Sequence, residues 1–146
     1  MTDLTVNVSK TIHAPIEKVF DAWLDPKMLS LFMMPMPGMP ESEVENDACE
    51  GGSFTITMHA GDDRLPHTGK YLEIKRPEKL VFTWVSHCSA DNSIVTLDFT
   101  KIDQDKTSIT LTHVRFIDEQ TRCNHEGGWD NILGKLNDVM HSSAGI

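Results

Sequence analysis

The chain has 146 residues and a formal net charge of −9, from 13 basic and 22 acidic side chains. This length suits one domain, residues 1–146, that is large enough to bury a core. The hydrophobic fraction of 39% and the charged fraction of 24% are ordinary for a globular chain. The negative charge argues against nucleic acid or an anionic membrane surface as a partner.

The three cysteines Cys49, Cys88 and Cys123 are isolated, and none belongs to a CxxC pair. This spacing indicates neither a disulfide framework nor a zinc knuckle. The N-terminus lacks a basic segment followed by an apolar run, and no apolar stretch reaches the roughly 18 residues of a membrane span. We therefore expect a cytoplasmic protein without membrane insertion, metal or cofactor.

The first part of the chain predicts one strand followed by two short helices. Residues 4–8 alternate between apolar and polar, which is typical of a strand with one buried face. Pro15 starts the first helix, and Asp25-Pro26 starts a second helix that runs through about Phe32. The next segment, 33–40, combines methionines with three prolines and a glycine. It predicts a loop that either folds onto the core or covers a pocket.

From Glu43 onward, short alternating runs predict a meander of about six strands. The connections between them are short and contain turn-forming residues, so neighbouring strands should pair antiparallel. The residues expected on the inner faces of these strands are Phe54, Ile56 and Met58, then Leu80, Phe82 and Trp84, then Val95, Leu97 and Phe99, and finally Ile109, Leu111 and His113.

The last predicted element is a long helix from about Asp118 to His141. Such a helix would be about 36 Å long and would cross a whole small domain. Gly127-Gly128 within this helix is unusual, because each glycine destabilises a helix by about 1 kcal/mol relative to alanine. The missing side chains could let another backbone come close or leave space beside Trp129, and the alternative is a kink in the helix. Placed at 100° intervals, one stripe of the helix contains His125, Trp129, Ile132, Leu133, Leu136 and Met140.

The order of elements predicts an α+β fold, with a curved antiparallel sheet wrapped around the long C-terminal helix and two short helices after the first strand. A strongly bent sheet closed around a helix leaves a wedge between them, roofed by the two short helices. Such a wedge can hold a small molecule or be filled by the side chains of the core.

Several short motifs, spread over nearly the whole chain, occur in an order that is typical of one protein family. They are Ala14-Pro15 with Asp25-Pro26, Gly51-Gly52-Ser53-Phe54, residues 69–74, Pro77-Glu78-Lys79-Leu80-Val81-Phe82-Thr83-Trp84, Leu111-Thr112-His113, and Gly128-Trp129 with Leu133 and Leu136. Together and in this order they resemble the domain named after the activator of the heat-shock protein 90 ATPase. That family belongs to the START-like, birch-pollen-allergen-like (SRPBCC) superfamily, so the resemblance implies a single domain with the helix-grip fold.

The resemblance implies two kinds of function. Superfamily members hold lipids, sterols, polyketides or other apolar molecules between sheet and helix, and a few act on what they hold. The namesake binds and stimulates the chaperone, although through an additional domain as well. We therefore expect an apolar or amphipathic small molecule as the partner. The alternatives are an interaction module for a chaperone and a homodimer formed through an edge strand or the Met-rich loop.

Apolar and aromatic side chains with a few polar groups are the usual lining of a small-molecule pocket. The same residues would equally serve as core. Arg122 is a further polar residue expected near this space. The predicted ligand-binding cavity consists of Phe32, Phe54, Met58, Tyr71, Phe82, Trp84, Phe99, His113, His125, Trp129 and Leu133.

Two of these residues, His113 and His125, are also the candidates for chemistry. Histidine transfers protons near neutral pH, so an enzyme that uses either one as acid or base is a further hypothesis. The alternative is that each histidine makes a hydrogen bond that fixes the position of its strand or helix.

One polar turn contains potential metal ligands, namely His59, Asp62, Asp63 and His67. Their spacing matches no metal motif, and a solvated hairpin explains them better. A P-loop, a dinucleotide fingerprint and a GxSxG elbow are all missing from the sequence.

Overall fold

A computed structural model of the chain describes residues 5–33, 42–60, 63–85, 93–114 and 119–144. The predicted Met-rich loop beyond Met33 lies outside these residues, as do Asp62, Cys88 and the side chains of Asp63 and Arg122.

The elements follow the predicted order. They are β1 (Thr5–Ile12), α1 (Ile16–Ala22), α2 (Pro26–Phe32), β2 (Glu43–Asn46), β3 (Ser53–Ala60), β4 (Asp63–Lys75), β5 (Lys79–Thr83), β6 (Ile94–Asp103), β7 (Lys106–Val114) and α3 (Glu119–Ala144).

The seven strands form one antiparallel sheet in the order β1-β7-β6-β5-β4-β3-β2. Six of them follow the helices and pair with their neighbours in the chain, which confirms the predicted meander. β1 pairs instead with β7, with Val8 opposite Leu111. This closing pair brings the start of the chain beside the strand that leads into α3, so β1 and α3 contact each other directly.

Helix α3 lies on the inner face of the sheet through the predicted apolar stripe. Trp129, Leu133 and Leu136 are almost completely buried. At the polar edge of the stripe, Lys10 Nζ of β1 lies 3.2 Å from Asp130 Oδ1, and Asn137 Oδ1 accepts a hydrogen bond of 2.9 Å from the backbone N–H of His13. The predicted α+β helix-grip fold is therefore confirmed.

The helix extends to Ala144, three residues beyond the predicted end. The prediction stopped where the apolar stripe stopped. Backbone hydrogen bonds can continue a helix past its last buried side chain, so periodicity underestimates its length.

The surroundings of Gly127 show whether this glycine makes room for a neighbouring backbone. A Cβ placed on Gly127 would have no atom within 4 Å, so no neighbouring backbone occupies the space that this glycine leaves. We expect Gly127→Ala to raise the free energy of unfolding by about 1 kcal/mol, because alanine is the better helix former. Urea unfolding monitored by circular dichroism measures this change.

Gly69→Ala is the matched comparison on the sheet. A Cβ there would overlap the carbonyl oxygen of Thr83 and the ring of Phe54, so the same one-carbon change should destabilise the fold by about 1–3 kcal/mol. Equal effects of the two substitutions would contradict this assignment.

Candidate functional site

The cavity was predicted between the sheet and α3, but the space that the wedge leaves lies between α2 and strands β3–β5 and has no wall residue from α3. Its position depends on how α2 begins. The Asp25 side chain accepts a 2.9 Å hydrogen bond from the backbone N–H of Lys27, and Pro26 occupies the first turn. This start turns Leu29 and Phe32 inward, where both are buried. Met33, directly after the helix, is also buried, so the end of α2 presents an apolar surface to the sheet.

An apolar space of about 10 Å³ lies between α2 and the sheet, with room for about one water molecule. Four of its wall residues belong to the predicted cavity: Phe54, Tyr71, Phe82 and Trp84. Four others were not predicted to line it. The eight wall residues are Trp23, Leu29, Met33, Phe54, Ile56, Tyr71, Phe82 and Trp84.

The aromatic members of the wall form a continuous array with helix α3. The ring of Phe54 lies 5.3 Å from Tyr71 and 5.4 Å from Phe82, and Trp84 lies 4.9 Å from Trp129. Such separations are those of favourable edge and tilted ring pairs. The array fills the wedge between the apolar space and α3 with aromatic side chains.

Two polar groups stand at the other end of the wedge, beside α2. Asn46 Nδ2 donates to the backbone oxygen of Leu24 at 2.8 Å and to the hydroxyl oxygen of Tyr71 at 3.2 Å. Burial raises the pKa of the Tyr71 phenol, an effect that the hydrogen bond from Asn46 partly offsets. Tyr71 is therefore neutral near pH 7.

His113 lies at the other side of the array, fully buried on β7. Its Nδ1 accepts a hydrogen bond of 3.0 Å from Trp129 Nε1. Because indole nitrogen only donates, Nδ1 carries no proton and the neutral ring is protonated on Nε2. Burial, and secondarily the charge of His125, lower the pKa of His113 to about 3.

The ring of His125 lies 5.4 Å from that of His113. The structure thus brings both candidate histidines together with Trp129, on the side of Trp84 away from α2. His113 acts here as a hydrogen-bond acceptor that fixes α3 on β7.

The remaining predicted cavity residues have separate places. Phe32 packs on Trp23 at 5.0 Å between ring centres, whereas Phe99 packs on Phe20 of α1 at the same distance. Met58 and Leu133 are buried in the core. The Phe99 side chain points to the inner face of the sheet, as those of Val95 and Leu97 do. Strand β6 is long, however, so that Phe99 reaches α1 and not the wedge. The alternation of residues predicted that Phe99 faces inward but not which residue it contacts.

The unpredicted wall residues had partial signals in the sequence. The spacing of Ile16, Val19, Phe20 and Trp23 predicts one apolar stripe on the first helix, and Ile56 alternates with Phe54 and Met58, so Trp23 and Ile56 were expected to be buried. Their position around one space depends on where α2 crosses the sheet. The periodicity of the sequence does not give that position.

Three of the four residues predicted in the polar turn lie in strands instead, His59 in β3 and Asp63 and His67 in β4, and side chains near them form ion pairs and ring contacts. His59 Nε2 and Arg64 Nη2 lie 3.4 Å and 2.6 Å from the same oxygen of Glu43, while the His67 ring lies 5.0 Å from that of Trp84. Within the described residues, no three side chains of His, Cys, Asp or Glu are grouped to hold a metal ion. No helix in this same part of the chain has the length and apolar character needed to cross a membrane.

Comparison with protein families identifies the domain. The family model for "Activator of Hsp90 ATPase homolog 1-like protein" matches residues 13–141, which is most of the chain. The chain belongs to this family. None of the curated proteins compared with it matches in sequence.

Several solved protein structures share this fold. Protein CV1439 from Chromobacterium violaceum is 24% identical with a TM-score of 0.80, covering 92% of this chain and 96% of its own. The AHSA1-like protein from Aeromonas hydrophila is 22% identical with a TM-score of 0.79, covering 95% and 94%. PFC0360w, an HSP90 activator from Plasmodium falciparum, is 22% identical with a TM-score of 0.75, covering 94% and 96%.

The pKa of His113 gives this family member a specific dependence of stability on pH. In the unfolded chain histidine titrates near pH 6.5, whereas folded His113 stays neutral down to about pH 3. Between these values the unfolded state binds the extra proton. Stability should therefore fall as the pH falls, by up to about 1.4 kcal/mol per pH unit, and this contribution vanishes above pH 6.5.

We expect His113→Gln to flatten this decline, because glutamine can accept the hydrogen bond from Trp129 and does not titrate. Urea unfolding at pH 7.5, 6.5, 5.5 and 4.5 would measure the slope, with His59→Gln in β3, where the side chain is partly exposed, as the control. Equal slopes for wild type and His113→Gln would contradict the assignment.

Proposed function

We propose that this chain binds an apolar or amphipathic small molecule in the wedge, without transforming it. The observation that carries the proposal is the wall itself. Eight uncharged side chains from α2, its preceding turn and strands β3–β5 converge on one space, and five of them are aromatic. Pockets for small molecules have this composition, with few polar groups among apolar walls.

The size of the space indicates how a ligand would enter. About 10 Å³ accepts only a water-sized group, so a larger molecule requires the walls to separate. We expect Leu29 and Met33 at the end of α2 to move aside, because this short helix has seven residues and methionine adapts to irregular apolar shapes. A ligand that buries about 200 Å² of apolar surface gains about 5 kcal/mol before the costs of ordering and wall movement.

The wall chemistry supports binding without reaction. Tyr71 is the titratable group among the wall residues, and its raised pKa keeps it protonated. His113 has a pKa of about 3 and already accepts a hydrogen bond at Nδ1, which makes it a weak base near neutral pH. Superfamily members that hold apolar molecules between sheet and helix give the same function a precedent.

A neutral fluorescent probe, 1-aminoanthracene, tests the proposal. We expect saturable binding to one site, and native mass spectrometry of the purified protein should reveal any ligand that it already carries. Leu29→Trp fills the wedge and should weaken probe binding about tenfold or more, at a stability cost of about 1–3 kcal/mol.

Leu72→Trp is the matched control for this experiment. Leu72 is 50% exposed on the opposite face of the sheet, so the same change there should leave binding of the probe unaltered. Loss of binding in Leu72→Trp but not in Leu29→Trp would move the site out of the wedge and overturn the proposal.

A second candidate is an interaction module for a chaperone. Two large apolar side chains, Leu72 and Ile102, are about half exposed on the sheet, and one protein of the same fold is described as an HSP90 activator. This candidate predicts that 1-aminoanthracene fails to bind and that Leu72→Ser with Ile102→Ser weakens association with the chaperone. Its measurement is the chaperone ATPase rate with the wild-type and the doubly substituted chain.

A further inference from the structure

Trp23 has a buried polar group that no described residue satisfies. The side chain is 2% exposed and borders the space in the wedge. Its indole Nε1–H is buried and has no hydrogen-bond acceptor among the described residues. Burying a donor without an acceptor costs free energy, and most buried polar groups in proteins are paired. The group is therefore suited to an acceptor that arrives with a ligand.

Tyr71 supplies a second donor to the same space. The identity of the Asn46 amide atoms follows from its neighbours: the backbone oxygen of Leu24 only accepts, so the atom that faces it is Nδ2. The same Nδ2 donates to the Tyr71 hydroxyl oxygen. This arrangement uses Tyr71 as an acceptor and leaves its own O–H proton available, and the raised pKa of the phenol retains that proton.

The residues that carry the two donors border the same small space. Trp23 and Tyr71 both line the space of about 10 Å³. Asn46 Nδ2 also joins the Tyr71 hydroxyl, at 3.2 Å, to the backbone oxygen of Leu24, at 2.8 Å, and Leu24 is the residue after Trp23. A ligand in this space therefore contacts both residues that carry a donor.

The walls also select the charge of that acceptor. None of the eight wall residues is a cation, so a carboxylate there would lose its hydration without gaining an opposite charge. The net charge of −9 further disfavours an anion. A neutral oxygen acceptor, such as the carbonyl of a ketone, ester or amide, loses little on burial and gains one or two hydrogen bonds.

We infer that the ligand of the wedge is a neutral apolar molecule with a carbonyl-type oxygen, which accepts hydrogen bonds from Trp23 Nε1–H and Tyr71 O–H. This inference rests on the proposed function, because it specifies the class of molecule that the same site binds. Trp23 and Tyr71 then determine specificity, while the apolar wall supplies most of the affinity.

Three probes with the same heavy-atom framework, a phenyl ring bearing a branched three-atom group, test the inference. Acetophenone carries a neutral carbonyl, α-methylstyrene replaces the oxygen by a CH₂ group, and benzoate carries a charged acceptor. Their affinities are compared by displacement of 1-aminoanthracene. We expect acetophenone to bind about tenfold more tightly than α-methylstyrene, the worth of about one net hydrogen bond, and benzoate to bind more weakly than acetophenone.

The substituted chains locate the effect. Trp23→Phe and Tyr71→Phe each remove one donor and keep an aromatic ring, so each should reduce the ratio of acetophenone affinity to α-methylstyrene affinity, whatever the change of wall shape does to both affinities. In the ¹H–¹⁵N spectrum, the indole N–H signal assigned to Trp23, one of three tryptophans, should move with acetophenone and much less with α-methylstyrene. If Trp23→Phe does not fold, Tyr71→Phe and this signal in the wild type still decide the outcome.

The possible results separate the two proposals. Binding of 1-aminoanthracene together with equal affinities for ketone and alkene would overturn the carbonyl inference and leave the proposed function standing. A preference for benzoate would overturn it as well, because it would require a cation at the site. Failure of 1-aminoanthracene and all three probes to bind would overturn the proposed function and the inference together.

Discussion

The hydrogen bond from the indole of Trp129 to Nδ1 of His113 is the contact on which the interior depends. It joins α3 to β7 in a region where both side chains are buried. Either group alone would be a buried polar atom costing about 1–3 kcal/mol, whereas the pair satisfies both. The bond therefore fixes the depth and the rotation of α3 on the sheet, which general apolar packing would leave less well defined.

From this contact the aromatic array extends across the sheet. Trp129 contacts Trp84, and Phe82, Phe54 and Tyr71 continue the array towards α2. Rings packed in this way leave few voids, so the wedge narrows to a small space under α2. The two ends of the wedge differ in chemistry as a result: at α3 Trp129 and His113 pair with each other, and at α2 Trp23 and Tyr71 border an apolar space.

This difference explains why binding is favoured over catalysis in the proposal. The buried imidazole is held neutral by desolvation and is occupied as an acceptor, so it serves structure. The proposed ligand site lies where the protein offers uncharged donors. An acidic surface around an uncharged interior suits a neutral molecule better than an anion.

The sequence by itself determined the order of elements, the inner faces of five of the seven strands and the buried stripe of α3, because a period of two or 3.6 residues directly records which side of an element avoids water. It also identified half of the wall, including Tyr71 and Trp84. It did not show that Phe99 packs on α1, that Trp23 borders the wedge, or that the space is only about 10 Å³. Those features depend on contacts between residues distant in the chain, such as Asn46 with Leu24 and Tyr71, and on the angle at which α2 crosses the sheet. Periodicity specifies a direction for each side chain, but only the tertiary structure decides what that side chain meets and how much room remains.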